Sequence, residues 1–357
     1  MSELLDFAAY SIWVNVALFA AGGAIVWAAG TRMVGLVDRL AGRTGMGQGF
    51  AGMLLLGGIV SLTEISTVST AAFTDSPLLA LNNLLGSESI NLFLLAAVDP
   101  LSGREALTSF IAKPAMLLQG TVGVVLLALA AVAIAVGDYP LFGVGLWSTL
   151  LFLLCLGSLW LSARYERRKV WIAFDQEATE EEQEEASESA ERGSSDRLLF
   201  LCARIAAVSV IILGAGFLLS MTGEALAEQT GLGASLVGFV LVGISTSLPE
   251  LSTITAAIRL KRYEMAIGDI LGSNVFNLLL IFLADVVYTG GPVFNHAGRF
   301  EIVAALLGII MTGILLLGLL ERRDRTLLGM GYDSAAMLAV FLGGVGILYA
   351  LSGGEAK

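Results

Sequence analysis

Apolar stretches of about 20 residues, separated by short polar segments, dominate the pattern of this 357-residue chain. A helix needs about 20 mostly apolar residues to cross the hydrocarbon core of a bilayer. The stretches lack the alternation of apolar and polar positions that is typical of membrane β-strands. We therefore predict ten transmembrane helices, near residues 8–30, 49–72, 77–98, 114–136, 141–163, 198–220, 233–258, 264–288, 300–320 and 335–352.

Composition supports this interpretation and excludes several classes of protein. Apolar residues make up 56% of the chain and charged residues 14%, and the mean hydropathy is +0.83. A soluble domain of this size could not bury so much apolar surface. An ordinary soluble enzyme, a disordered chain and a nucleic-acid binder are thereby excluded. The two cysteines and one histidine provide neither a disulfide framework nor a multi-histidine metal site.

The net charge of −11 comes mostly from one segment. Nine of the 31 acidic residues lie between Asp175 and Glu191, inside the hydrophilic stretch 164–197. Like charges at this density repel one another, so we predict a charged, solvated linker. It divides the chain into residues 1–163 and 198–357, each with five predicted helices.

The distribution of basic residues predicts the orientation of the chain in the membrane. Cytoplasmic loops of membrane proteins carry an excess of Lys and Arg. If the N-terminus faces outside, 18 of the 20 basic residues fall on the cytoplasmic side, and only Arg299 and Lys357 do not. We therefore expect a multi-pass protein of the cell membrane with both termini outside and the 164–197 linker in the cytoplasm.

The two halves share an internal repeat at a constant offset of 186 residues. Residues 44–92 align with residues 230–278 without a gap and with 18 identities in 49 positions. Five predicted helices separate the copies, so the copies enter the membrane from opposite sides. Inverted repeats of this kind are typical of secondary transporters, whose sites lie near the bilayer midplane on interrupted helices. We predict an all-α integral membrane protein with ten transmembrane helices in two inverted five-helix repeats.

Polar side chains recur at matching positions inside the apolar helices of both copies. In the second copy, Pro249 lies between Ser247 and Glu250, and its missing N–H leaves a backbone carbonyl free. The polar positions of the first copy are Ser61, Glu64, Asn83, Ser87 and Asn91, with Glu88 as an additional carboxylate. Those of the second copy are Thr246, Ser247, Glu250, Asp269, Ser273 and Asn277.

These side chains have the chemistry of a cation site. A carboxylate at bilayer depth is costly unless it is paired or bound to a ligand. Carboxylate, hydroxyl and amide oxygens suit Ca²⁺, whereas the absence of Cys and His argues against zinc or copper. The glutamates Glu64 and Glu250 should face each other at the centre, and Asp269 and Glu88 raise the number of acids. So many acids cannot all stay ionised in an empty site, so protons should compete with the cation.

The two motifs, residues 57–92 and 243–278, resemble those of the Ca²⁺/cation antiporter superfamily and, within it, of prokaryotic sodium/calcium exchangers. That family carries two inverted repeats, each with a G-T-S-x-P-E-type segment followed by G-[ND]-x-x-G-S-N. The second copy matches closely, with Thr246-Ser247-Leu248-Pro249-Glu250 and then Gly268-Asp269-Ile270-Leu271-Gly272-Ser273-Asn274. In the first copy, Val60, Thr63, Asn82 and Glu88 replace the family's Thr, Pro, Gly and Asn.

The resemblance implies a secondary active antiporter that exchanges Ca²⁺ for Na⁺ by alternating access. Glu64 and Glu250 would be the central Ca²⁺ ligands. The adjoining Ca²⁺ and Na⁺ positions would be formed by Ser61, Thr246, Ser247, Asn83, Asp269, Ser87 and Ser273. No enzymatic activity, cofactor or nucleic-acid partner is implied; the partners are Ca²⁺, Na⁺ or H⁺, and the lipid bilayer.

Three alternatives remain open at this point. The additional acid Glu88 and the hydroxyl missing at Val60 favour a Ca²⁺/H⁺ antiporter. The pairs Gly268-Asp269 and Tyr332-Asp333 bear a weak likeness to the aspartates of an intramembrane aspartyl protease, which would leave the repeat unexplained. A cation channel would need a continuous pore instead of an occluded site.

Overall fold

The computed structural model describes residues 7–355, apart from residues 74, 104–105, 111–113, 142, 167–197, 231–242, 322–325 and 328. The predicted acidic linker therefore lies almost wholly outside the described residues. The described part is an all-helical bundle with two short β-hairpins. Nine helices in this part are long and apolar enough to cross a membrane.

The helices follow the predicted order. They are α1 (Ile12–Thr44), α2 (Gln48–Phe73), α3 (Pro77–Val98), α4 (Pro114–Val136), α5 (Leu146–Glu166), α6 (Leu198–Thr230), α7 (Gly243–Thr246 and Leu248–Arg259), α8 (Tyr263–Val287), α9 (Arg299–Glu321) and α10 (Tyr332–Glu355). The hairpins are β1 (Pro140–Leu141) with β2 (Val144–Gly145), and β3 (Thr326–Leu327) with β4 (Met330–Gly331). The seventh predicted span, 233–258, is described only from residue 243, as α7.

Helices α1 and α6 form a long pair at the side of the bundle. Each has 33 residues, or about 50 Å at 1.5 Å per residue, and they pack along each other. Both continue well past their predicted ends, because hydropathy detects the apolar part of a helix and not its polar extension. In their most apolar windows only 22% of residues are buried, compared with 78% in α3 and 67% in α8. The core therefore consists of α3 and α8 with their neighbours.

Helices α2 and α7 are both interrupted. Helix α2 contains a π-helical segment, Gly52–Leu56, and then breaks at Ser61. Helix α7 breaks at the matching position, Ser247, just before Pro249. The sequence predicts a weaker kink in α2, because Thr63 stands where proline would be. The break occurs nevertheless, and the Thr63 hydroxyl donates a hydrogen bond to the Val60 carbonyl at 2.9 Å, which occupies a backbone acceptor at the break.

Glycines allow α2 and α8 to cross with their backbones in contact. A Cβ atom on Gly272 would lie 2.2 Å from the Met53 carbonyl oxygen, and one on Gly57 would lie 2.7 Å from the Ser273 amide nitrogen. Any larger residue at either position would push the helices apart. This crossing brings Ser273 and Asp269 of α8 close to the break in α2.

The backbone repeats at the same 186-residue offset as the sequence. Asp75 and Lys261 both have a left-handed conformation, with φ of 63° and 57°. Gly143 and Gly329, at the tips of the two hairpins, have φ of 91° and 82°. The constant offset therefore extends beyond the aligned motifs to the turns and hairpins.

Two buried aspartates connect the halves of the chain in the same symmetric way. Asp99, at the end of α3, accepts hydrogen bonds from the amide of Leu107 at 2.7 Å and from that of Gly331 in the second hairpin at 2.6 Å. Asp285, in the last turn of α8, accepts from the amide of Val293 at 2.7 Å and from that of Gly145 in the first hairpin at 2.5 Å. Each half thus fixes the hairpin of the other half.

Candidate cation site

The predicted site residues lie on four helices that pack together at the centre of the bundle, α2, α3, α7 and α8. Glu64, Glu250 and Asp269 have no exposed surface. Glu250 lies close enough to Glu64 and Asp269 for their charges to interact, with Glu64 the stronger neighbour. The fold thus brings together three of the four predicted carboxylates around the two helix breaks.

The breaks determine the electrostatic surroundings of the two glutamates. Glu64 lies in the first turn of the helical segment Leu62–Phe73, and Glu250 lies in the first turn of Leu248–Arg259. Helix N-termini carry a partial positive charge and free N–H groups, which favour a carboxylate. Without the breaks, both glutamates would lie in the middle of a helix and lose this stabilisation.

Most polar atoms at the centre have no hydrogen-bond partner among the described residues. Such burial is costly for a neutral group and more so for a carboxylate. A bound cation would satisfy several of these atoms at once. The unpartnered oxygens belong to Glu64 and Glu250 (both carboxylate oxygens), Asp269 (Oδ1), Glu88 (Oε1), Ser87, Ser247, Ser273, Asn91 and Asn277.

Hydroxyl and amide groups link the two breaks. Ser61 and Ser87 lie near the Glu64 carboxyl, although neither reaches hydrogen-bond geometry with it. The Thr246 hydroxyl donates to the Gly243 carbonyl at 3.1 Å and approaches Asn83 Oδ1 at 3.4 Å. The predicted residues of α3 therefore lie next to those of α2 and of α7.

Asp269 differs from the glutamates because one of its oxygens is occupied. The Thr253 hydroxyl of α7 donates a short hydrogen bond to Asp269 Oδ2. Thr253 is not among the predicted site residues, and its hydroxyl also donates to the Glu250 carbonyl at 3.0 Å. Its contact with Asp269 could not be anticipated, because it depends on how α7 and α8 pack.

Glu88 adjoins the cluster but faces another part of the bundle. It is 1% exposed and interacts with the charge of Glu64. Its Cβ lies 3.6 Å from the position that a Cβ atom on Gly308 of α9 would occupy. Cys155 of α5 is close enough to Glu88 for an electrostatic interaction with its carboxylate. The Glu88 side chain of α3 therefore lies close to α5 and α9 as well as to Glu64.

Three asparagines complete the centre; two of them, Asn91 and Asn277, belong to the polar positions recognised in the sequence, but none of the three is among the predicted ligands. Asn277 is fully buried, and neither its Oδ1 nor its Nδ2 has a partner in the described part of the chain. The Asn91 amide donates to Asn274 Oδ1 at 3.0 Å, and the Asn274 amide donates to the Glu88 carbonyl at 3.2 Å. Asn91 and Asn277 occupy equivalent positions 186 residues apart, and this identity within the repeat was the available signal.

The arrangement favours a mixed set of ligands. Within the described residues, no three His, Cys, Asp or Glu side chains surround a point where they could hold a metal ion. One ion would therefore take at most two carboxylates here and would complete its shell with hydroxyl and amide oxygens. Ca²⁺ accepts such mixed, irregular shells of six to eight oxygens.

Comparison with known proteins identifies the family. The model of the family described as sodium/calcium exchanger protein matches residues 14–161 and 200–350, which is most of the chain. Among curated relatives, a candidate antiporter CaxA of Alkalimonas amylolytica is 29% identical over 136 residues, which are 37% of this chain and 40% of the relative. The inner membrane protein YrbG of Escherichia coli is 26% identical over 68% of this chain and 70% of its own length.

Solved structures show the same fold. The sodium-calcium exchanger NCX_Mj, soaked with Na⁺ and Sr²⁺, matches with a TM-score of 0.69 at 19% identity and covers 94% of this chain and 99% of its own. The same exchanger soaked with Na⁺ and Ca²⁺ matches with a TM-score of 0.68. The fold prediction of ten helices in two inverted repeats is thereby confirmed. The members of the matching family are transporters and not enzymes. Because the family model spans both halves of the chain, this protein is a member of the sodium/calcium exchanger family of cation antiporters.

Proposed function

We propose that the protein exchanges Ca²⁺ for Na⁺ across the cell membrane by alternating access, with Glu64 and Glu250 as the central ligands. One observation carries the proposal. The two glutamates occupy equivalent positions behind equivalent helix breaks, and all four of their oxygens are buried without a partner in the described part of the chain. A divalent cation would supply the missing partner for both.

The donor set supports Ca²⁺ over other divalent metals. Every unpartnered acceptor at the centre is an oxygen of a carboxylate, hydroxyl or amide. Hard cations prefer such ligands, and thiolate or imidazole ligands would be expected for zinc or copper. Ser61, Ser87, Ser247, Ser273, Thr246, Asn83 and Asp269 would form the adjoining positions for Ca²⁺ and Na⁺.

The packing supports a division into a site-bearing core and a mobile helix pair. Helices α1 and α6 pack along each other, and each contacts an interrupted helix of the other half of the chain: α1 packs against α7, and α6 packs against α2. In the described part of the chain, the polar contacts between this pair and the core include Thr67 with Ser220 at 2.8 Å, Ser252 with the Val26 carbonyl at 3.4 Å and the ion pair of Arg262 with Asp38 at 3.0 Å. Movement of this pair would open the site to one side or the other.

Charge neutralisation would couple the two ion fluxes. Exposing or closing the site with two ionised and unbound glutamates is costly at bilayer depth. The movement of α1 and α6 would therefore require the carboxylates to be neutralised by Ca²⁺ or by the counter-ion. An inward Na⁺ gradient would then drive Ca²⁺ out of the cell. We place both termini outside and the 164–197 linker in the cytoplasm, in accordance with the distribution of basic residues.

The second candidate is a Ca²⁺/H⁺ antiporter, and Glu88 favours it. This carboxylate has an unpartnered oxygen and is buried next to Glu64. Its equivalent in the other half is Asn274, which has no charge. A buried acid without a cationic partner is suited to carry a proton, and Glu88 would then supply the proton that is exchanged for Ca²⁺.

Calcium uptake into vesicles containing the purified protein distinguishes these candidates. A Na⁺ gradient alone should drive uptake at constant pH, and a pH gradient alone should not. Uptake driven only by the pH gradient would support the second candidate instead. Uptake that needs neither counter-ion would indicate a channel and would overturn both.

Glu88→Asn gives the same distinction at the level of a residue, because it installs the side chain of the equivalent position. Under the leading proposal, Na⁺-driven uptake should persist, within a few-fold of the parent rate. Under the second candidate, pH-driven uptake should be lost. Glu88→Gln controls for the shorter side chain of Glu88→Asn, because it removes the charge and keeps the length, so both variants should behave alike if the charge is what matters.

A further inference from the structure

A large groove lies between α1, α6 and α7, away from the central site. Its volume is about 810 Å³, within the range of about 300–1,000 Å³ that is typical of small-molecule sites. Apolar side chains contribute to its lining, among them Leu36 of α1, Val208 of α6 and Leu260, which directly follows α7. The rim of the groove is basic, because it carries four exposed arginines, Arg32, Arg39, Arg204 and Arg259.

Among the described residues, three of the four arginines at this rim have no acidic partner. No carboxylate in the described part of the chain pairs with Arg32, Arg39 or Arg259. Asp38, next to Arg39 in the sequence, is engaged by Arg262 at 3.0 Å instead. The groove therefore carries an excess of positive charge, for which an anion would be the natural complement.

The position of the groove selects the kind of anion. All four arginines lie on the side that we propose to be cytoplasmic. Closer to the bilayer centre than these arginines, α1 and α6 present apolar side chains to the surroundings, including Ile25 of α1, which is 46% exposed, and Val210 of α6, which is 68% exposed. Basic pockets between membrane helices on this side bind the headgroups of anionic lipids. Arginine is well suited to phosphate because its planar guanidinium can donate two parallel hydrogen bonds.

We propose that this groove binds the phosphate headgroup of an anionic phospholipid, with the acyl chains against the adjacent apolar faces of α1 and α6. The occupant would contact the α1/α6 pair through Arg32, Arg39 and Arg204 and the core through Arg259 on α7. The same α7 segment, Leu248–Arg259, carries Glu250 in its first turn. A bound lipid would therefore bridge the two groups of helices whose relative movement opens the central site.

Lipid binding can be measured without transport, by native mass spectrometry of the purified full-length protein. The protein is exchanged into detergent with either phosphatidylglycerol or phosphatidylcholine. Phosphatidylglycerol should be retained, and phosphatidylcholine should not. Each of the substitutions Arg32→Gln, Arg39→Gln and Arg259→Gln should weaken retention about fivefold, which corresponds to about 1 kcal/mol per arginine.

Two control variants separate a binding role from a structural one. Arg259→Lys keeps the charge and should retain most of the binding, whereas loss in Arg259→Lys equal to that in Arg259→Gln would overturn the charge argument. Arg164→Gln removes an exposed arginine of α5 that stacks on Trp160, outside the groove. It should leave retention unchanged, and an equal loss in this variant would mean that the effect is not specific to the groove.

Three further outcomes would overturn the proposal. Equal retention of both lipids would show that the headgroup charge is not recognised. If inorganic phosphate displaces bound phosphatidylglycerol as effectively as added phosphatidylglycerol does, the occupant would be identified as a free anion. Increased retention after the acidic residues Glu180, Glu181, Glu182, Glu184 and Glu185 are replaced by Gln would identify the linker as the occupant. Because none of these measurements depends on Ca²⁺ transport, failure here is distinguishable from failure of the proposed exchange.

Discussion

At the scale of single residues, the centre of this protein contains buried oxygens that its own donors do not satisfy. Glu64 and Glu250 stand out in the sequence, because few acids lie in so apolar a chain and these two share an offset. Asn277 and Asn91 share the same offset, but an asparagine in a membrane helix often satisfies a neighbouring helix. Only the packing shows that Asn277 satisfies none among the described residues.

Replacing Asn277 should separate function from stability. In Asn277→Leu, the Ca²⁺ concentration that gives half-maximal uptake should rise about tenfold or more, since an interaction with a charged group contributes about 1.5–3 kcal/mol. Thermal stability without Ca²⁺ should not fall, because an unpartnered buried amide is replaced by an apolar group of similar size. Gln119→Leu on α4 is the control, because it removes a buried amide outside the four central helices. Unchanged Ca²⁺ dependence in Asn277→Leu would exclude this residue from the site.

At the scale of elements, the interrupted helices α2 and α7 reach the same geometry by different chemistry. The break in α7 follows from Pro249, and the sequence predicts it well. The break in α2 has no proline, and Thr63 contributes instead through a hydrogen bond to Val60, which no sequence pattern specifies. The lengths of α1 and α6 were also underestimated, because α1 continues through charged positions such as Arg32 and Asp38, and α6 continues through the more polar stretch 221–230.

Thr63→Val tests how the break in α2 is stabilised. Valine keeps the branched shape that packs against Gly216 but cannot donate to the Val60 carbonyl. The free energy of unfolding should fall by about 1–3 kcal/mol, the cost of an unsatisfied buried polar group. Thr63→Ser should keep most of the stability because it keeps the hydroxyl.

The matched control for this hydroxyl is Thr312→Val on the uninterrupted helix α9. The Thr312 hydroxyl donates to the Gly308 carbonyl at 2.8 Å, an acceptor that the regular helix already satisfies. Thr312→Val should therefore lower the free energy of unfolding by less than Thr63→Val does, as measured by thermal unfolding in detergent. Equal losses at both positions would contradict a special role for Thr63 at the break.

At the scale of the whole molecule, the repeat predicts the architecture, and packing supplies the connections between its halves. Ten helices, the central motifs and their relationship were accessible from hydropathy and the 186-residue offset. The clamps at Asp99 and Asp285 were not identified, although the two aspartates share that offset, because the alignment ends before them. From the sequence alone, an aspartate at the end of a helix is expected to be solvated, because the approach of the hairpin from the other half is not visible there.

Both clamps should stabilise the protein. In Asp99→Asn and in Asp285→Asn, an amide nitrogen can replace an oxygen that accepts a backbone hydrogen bond. Each variant should lose about 1.5–3 kcal/mol of unfolding free energy, the contribution of a hydrogen bond to a charged group. Asp75→Asn is the control, because Asp75 is exposed in a left-handed turn that asparagine adopts readily. A loss in only one of the two clamp variants would contradict their structural equivalence.

The central claim is that Glu64 and Glu250 together hold the transported cation. The most direct measurement is uptake of radioactive calcium into vesicles containing Glu64→Gln or Glu250→Gln, under the gradient that drives the parent protein, with Asp75→Asn as a control that also removes a carboxylate. We expect each glutamine variant to lose driven uptake and the control to keep it. Driven Ca²⁺ uptake that survives in both glutamine variants would contradict the assignment of the site.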